Sequence, residues 1–127
     1  MTTFKDSLTY GQAGETAIAR WLRSQHGMFV LPAYEKILDT GKGPQLYTPE
    51  GKRLILPDLL AFDAKRTLWI EAKRKNAFSL YQKNGQWQTG IDLRHYLDYC
   101  KVNDETPWRV WLLFLQDGGQ AKDSPPN

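Results

Sequence analysis

The chain has 127 residues, 41% of them apolar and 24% charged, enough to bury one core without cross-links. No run of about 18 or more apolar residues occurs, and the first residues, Met1 to Asp6, lack the apolar stretch of a secretion signal. A single cysteine, Cys100, excludes an intrachain disulfide and a cysteine-rich zinc site, so a cytoplasmic protein without membrane contact is expected. Seventeen basic and 14 acidic residues leave a net charge of +3, a mild lean toward polyanionic partners.

In chain order, residues 8–25 read as a first helix, with Ala17, Ile18, Trp21 and Leu22 on an apolar stripe and Gly27 as its stop. Gly11 and Gly14 weaken the early turns and move the expected start toward Gln12, with Asp6 or Ser7 as caps for the longer form. Residues 28–37 alternate loosely around Pro32, which predicts an edge strand. Residues 39–51 form a Gly- and Pro-rich loop with a short strand at Gln45-Leu46-Tyr47 and a turn at Glu50-Gly51. Two apolar runs follow, Leu54 to Phe62 and Thr67 to Lys73, joined by a short polar link and read as adjacent antiparallel strands. Asn84-Gly85 between aromatic-containing runs predicts a hairpin over 78–89. Residues 92–101 form a second helix with Leu93, Tyr96, Leu97 and Cys100 on one face, and 108–115 a further strand. The expected organisation is a single domain over 1–116, an α/β sandwich around a mixed sheet, with a flexible tail over 117–127.

Chemistry concentrates in the paired strands. Pro57-Asp58 is followed after twelve residues by Glu71-Ala72-Lys73. Side chains alternate along a strand, so Glu71 and Lys73 share a face, and antiparallel pairing brings Asp58 beside Glu71. Two carboxylates and a lysine converging at the end of a sheet suit a divalent cation and a polarised water. An acidic-x-Lys triplet alone arises about once by chance in a chain of this length. Here it closes an apolar strand, follows a Pro-Asp by one hairpin, and is joined by Glu15 on the stripe of Ile18 and Leu22. A carboxylate on a buried stripe needs a partner, which a cation or Lys73 would provide.

The set Gly11-Gln12-Ala13-Gly14-Glu15, "LPDLLAF" and "LWIEAKRK" resembles the PD-(D/E)xK nuclease superfamily, and more narrowly its branch of archaeal Holliday-junction-resolvase-like and small phage or mobile-element nucleases. The likeness runs over about residues 8–115 in element order and rests on four positions. It implies a restriction-endonuclease-like core in the order α-β-β-β-α-β with an added hairpin. It further implies a Mg²⁺- or Mn²⁺-dependent endonuclease that hydrolyses DNA phosphodiesters, with structure-specific, junction-resolvase-like cleavage as one form. Carried over by position, Asp58 and Glu71 are the metal-ligating carboxylates, the carbonyl of Ala72 completes the shell, and Glu15 ligates directly or through water. Lys73 orients the attacking water or offsets transition-state charge. No organic cofactor is implied. Enzymes of this kind often act as two-fold dimers on duplexes, which makes a homodimer one expectation. The alternative is a non-catalytic nucleic-acid-binding or assembly module with the same fold.

Around this set, Lys52, Arg53, Arg74, Lys75 and Arg94 are candidate nucleic-acid contacts, with a solvated charged surface as the competing reading. Trp87 beside the hairpin is a candidate base-stacking residue, whereas Trp21, Trp69 and Trp111 sit in apolar runs and read as core. Arg94, His95 and Tyr99 form either an auxiliary motif facing the site or a solvated helix face. His26 reads as a helix-end residue and Cys100 as a small buried hydrophobe.

Overall fold

The computed structural model describes residues 4–32, 45–75, 78–81 and 83–117. Helix α1 spans Phe4–His26, starting earlier than expected, so Asp6 and Ser7 lie inside it rather than before it. Gly14 has a packing role there: a Cβ at this position would meet the Cβ of Arg74 at 2.6 Å, so the bare backbone lets the helix lie close to the sheet. The helix stops at Gly27, whose φ of +62° is readily available only without a side chain.

Strand β1 is Phe29–Pro32, β2 Leu46–Tyr47, β3 Arg53–Leu54, β4 Leu59–Phe62 and β5 Thr67–Lys75. A hairpin of β6 (Ser79–Tyr81) and β7 (Gln86–Gln88) follows, then α2 (Leu93–Glu105) and β8 (Arg109–Gln116). The main sheet has the order β1-β4-β5-β8. Its first two pairings are antiparallel, and β8 joins β5 in parallel after the crossover through α2. Without the ribbons β2-β3 and β6-β7, the order is α1-β1-β4-β5-α2-β8, an α/β arrangement on a mixed four-stranded sheet.

Alternation along β5 divides the core. Leu68, Ile70 and Ala72 face α1 and pack with Ile18, Leu22, Met28, Leu59 and Ala61. Trp69 faces the other way, against Leu54 and Val102, and its indole N–H donates to the Thr106 hydroxyl at 3.1 Å. A sheet covered on both faces explains why the middle of β5 reads as continuous apolar sequence.

Several expectations are corrected. Residues 54–62 are not one strand: Leu54 belongs to β3, and residues 55–57 leave the ladder at Pro57, which is fully buried and has no N–H to give it. The predicted apolar face of α2 is turned outward. Leu93, Tyr96 and Leu97 are exposed, Cys100 is half-buried, and Val102 anchors the helix. Trp21 and Trp111 are about half exposed rather than core, while Trp69 is buried as expected. The predicted hairpin forms, with Gly85 at φ +65° in its turn. Parts of four expectations, over residues 33–37, 39–44, 82 and 118–127, lie outside the described residues; Asp117, at the start of the expected tail, donates its N–H to the Lys75 carbonyl at 3.2 Å. Among the described residues, no helix is long and apolar enough to cross a membrane.

Candidate active site at the end of the paired strands

The β4–β5 ladder ends at Leu59↔Ile70, so Asp58 stands opposite Glu71 one step beyond it. There the Asp58 side chain replaces the missing strand. Its Oδ2 accepts the Ala72 N–H at 3.0 Å, and the Asp58 N–H donates to Glu71 Oε1 at 3.2 Å. A strand residue's N–H and C=O leave on the same side, so the Ala72 carbonyl is also directed toward Asp58. Lys73, two residues beyond Glu71 on the same face, places its Nζ 3.4 Å from Glu71 Oε2.

Two further groups reach this cluster from the helices. Glu15 of α1, on the stripe of Ile18 and Leu22, hydrogen-bonds to Asp58. Tyr99 of α2 hydrogen-bonds to Glu71. The sequence offered Tyr99 only as one member of an auxiliary motif. Its spacing, three positions before the buried Val102, is the signal that it faces the sheet. Arg94 is exposed and His95 half-buried.

Electrostatically the cluster is overloaded with negative charge. Glu71 is only 3% exposed. Three ionised carboxylates against the one Lys73 ammonium would leave two excess negative charges, and the carboxyls respond by holding protons. Burial, then the charge of Asp58, pushes Glu71 up to about 8, against the pull of Tyr99 and Lys73. Glu15 is pushed up to about 7 by burial and by Asp58, with Lys73 opposing. Asp58 is also raised by burial, but the Ala72 N–H and hydrogen bonds donated by Glu71 and Glu15 counteract this. Burial, followed by the charge of Glu71, raises Tyr99 and keeps its phenol protonated.

As arranged, these carboxylates direct their oxygens to one another and to the backbone. Among the described residues, no group of three His, Cys, Asp or Glu side chains is set around a common point at metal-ligating spacing. The donor chemistry nonetheless fits a hard divalent cation. The donors are all oxygen, and the charge excess equals the charge such an ion carries.

The expected nucleic-acid contacts are dispersed. Arg74, next to Lys73 but on the opposite face, lies along Gly14 and pairs through Nε with Asp117 Oδ1 at 2.9 Å. Lys75 follows it, half-buried, at the site end of β5. Lys52 pairs with Glu105 at 2.5 Å, at the end of α2 that leads into β8. Since Arg109 is in register with Leu68, that pair stands toward the other end of β5. Arg53 is exposed on β3 and Trp87 half-buried on β7. Comparison with protein-family models, curated proteins and solved structures returns no match for this chain.

Proposed function

We propose that the protein is a Mg²⁺- or Mn²⁺-dependent DNA endonuclease with a restriction-endonuclease-like core. The observation that carries this reading is the convergence of Glu15, Asp58, Glu71 and Lys73 at the end of β5, where buried carboxylates outnumber the cation beside them. Asp58, Glu71, the Ala72 carbonyl and Glu15 would hold the ion. When bound, the ion supplies Lewis acidity toward a phosphodiester and a water of lowered pKa.

The chain's own groups have separate tasks. Glu15 and Glu71 would have to give up their protons to hold an ion, and Tyr99 keeps Glu71 oriented through its hydroxyl. Lys73, less buried than Glu71, would offset charge that builds on the oxygens of a bound phosphodiester. Lys75, two positions on along the face of Lys73, adds positive charge just beyond, where the backbone of a nucleic acid would approach.

The test is cleavage of branched, single-stranded and double-stranded DNA in Mg²⁺ or Mn²⁺. Asp58→Asn and Lys73→Ala should each lose cleavage by about 100-fold or more, the scale of removing one transition-state contact, while retaining DNA binding. Inactivity of the wild-type chain on every substrate, or unchanged activity in both variants, would overturn the proposal. The internal hydrogen bonding of the carboxylates favours a second reading, a non-catalytic DNA-binding module. DNA binding without cation binding would support that one.

A further inference from the structure

Strand alternation puts Trp69, Glu71 and Lys73 on the α2 face of β5, and parallel pairing sets Val110, Leu112 and Phe114 beside them on β8. The acidic cluster therefore has an apolar neighbour one strand away, about 4.8 Å across the sheet. Val110 and Leu112 are half-buried and form the floor of a groove of about 250 Å³. Its wall is one stripe of α2, made by Tyr96, Tyr99, Cys100 and Asn103, which follow one another at helical spacing. Tyr99 belongs to both places: it lines the groove and is hydrogen-bonded to Glu71. The groove thus opens directly off the candidate active site.

The lining describes a ligand. Tyr96 is 49% exposed and hydrogen-bonded to Cys100 one turn on, which holds its side chain along the helix. Two phenol rings beside a floor of valine and leucine suit a flat, apolar face. Asn103 adds a polar group that is fixed in place, because its Oδ1 accepts the Val110 N–H at 3.0 Å. The NH₂ of that amide is the donor this wall offers to the polar edge of a ligand. At about 250 Å³ the groove is smaller than the roughly 300 to 1,000 Å³ of drug-sized pockets, a size for one ring system. Charge keeps a phosphate out of it. The exposed Asp104 stands among its lining residues, and no lysine or arginine does among the described residues. The lysines, Lys73 and Lys75, lie instead toward the end of β5. A flat ring with a polar edge, joined to a phosphate that stays outside, is the form of a nucleotide.

We infer that the groove takes the unpaired base of the nucleotide next to the phosphate at the acidic cluster, so that the substrate is DNA single-stranded at the cut. This rests on the nuclease reading and names its substrate class. A base enters such a groove only when it is out of the stack, and in intact duplex it would first have to be unpaired and flipped. Aromatic side chains hold any base by its face, so the subsite selects single strands rather than sequence.

Three fluorescein-labelled probes of equal length test this: an oligothymidylate, its abasic counterpart and an intact duplex. Anisotropy without added cation reads binding independently of cleavage. The wild-type chain should bind the oligothymidylate about 5- to 150-fold more tightly than the abasic chain, the scale of one base stacked on an aromatic side chain. Tyr96→Ala, a change at an exposed position, should close most of that gap with an unchanged circular dichroism spectrum, and Tyr96→Phe should keep it. In Mg²⁺ the wild-type chain should cut the oligothymidylate faster than the duplex, and Tyr96→Ala should lose that preference. Equal wild-type affinity for the abasic chain, an unchanged gap in Tyr96→Ala, or faster cutting of intact duplex would overturn the subsite. An active enzyme indifferent to Tyr96→Ala would leave the nuclease reading standing without it. A chain that binds single strands through Tyr96 yet cuts no DNA would keep the base site and overturn the nuclease reading.

Discussion

Along β5, Leu68, Trp69 and Ile70 are buried among apolar side chains on both faces, whereas Glu71, one position on, is just as buried among carboxylates, a lysine and a phenol. The strand is continuous and its pairing with β8 is unbroken across the boundary. What changes is its other neighbour. β4 covers β5 as far as Ile70, and beyond that point the Asp58 side chain stands in for a strand. The comparison teaches that burial alone does not make this end of the sheet part of the core. The first half of β5 gains stability from burial. The second half holds like charges together at a cost that a cation would remove.

Four changes test that division. The largest loss of stability should come from Ile70→Ala, which empties a fully buried position in the apolar half. About 2 to 5 kcal/mol should be lost in urea unfolding, and a smaller loss would mean the two halves are not so different. Gly14→Ala should follow, at about 1 to 3 kcal/mol, because its Cβ meets the Arg74 stem; unchanged stability would show that α1 can shift away freely.

The third test is pH. In the cation-free protein Glu71 titrates near 8 and Glu15 near 7, against an ordinary value of 4.5. Between those values the folded chain binds more protons than the unfolded one, so this site lowers stability as pH rises from about 4.5 to about 8. The melting temperature without added cation should therefore fall over that range, and Asp58→Asn should flatten the decline by removing a charge that raises both glutamates. An equally steep decline in the variant would place its origin elsewhere. The smallest effect should come from Lys52→Ala, which breaks an exposed ion pair toward the other end of β5. A change within about 1 kcal/mol in stability, with cleavage retained, is expected.

Much of the site was legible because it depends on short-range rules. Period-2 alternation puts Glu71 and Lys73 on one face, and a four-residue link between two apolar runs sets Asp58 against Glu71. Helical spacing puts Glu15 on the stripe of Ile18 and Leu22. What the sequence did not disclose depends on neighbours that spacing cannot specify. Spacing grouped Leu93, Tyr96 and Leu97 correctly, but not the fact that the sheet covers α2 from the side of Tyr99 and Val102. Trp21 and Trp111 follow apolar periodicity yet are about half exposed. Leu54 and Leu59 looked like one strand because both are buried, although they belong to different sheets separated by Pro57. Gly14 read as a weak point in the helix until its contact with Arg74 gave it a purpose.

The most direct measurement of the central claim is calorimetric titration of the metal-free protein with Mn²⁺ at pH 7, in buffers of different ionisation heat. One ion per chain should bind with release of protons from Glu71 and Glu15, and binding should be lost in Asp58→Asn. No binding, binding without proton release, or undiminished binding in Asp58→Asn would contradict a cation site at the end of β5.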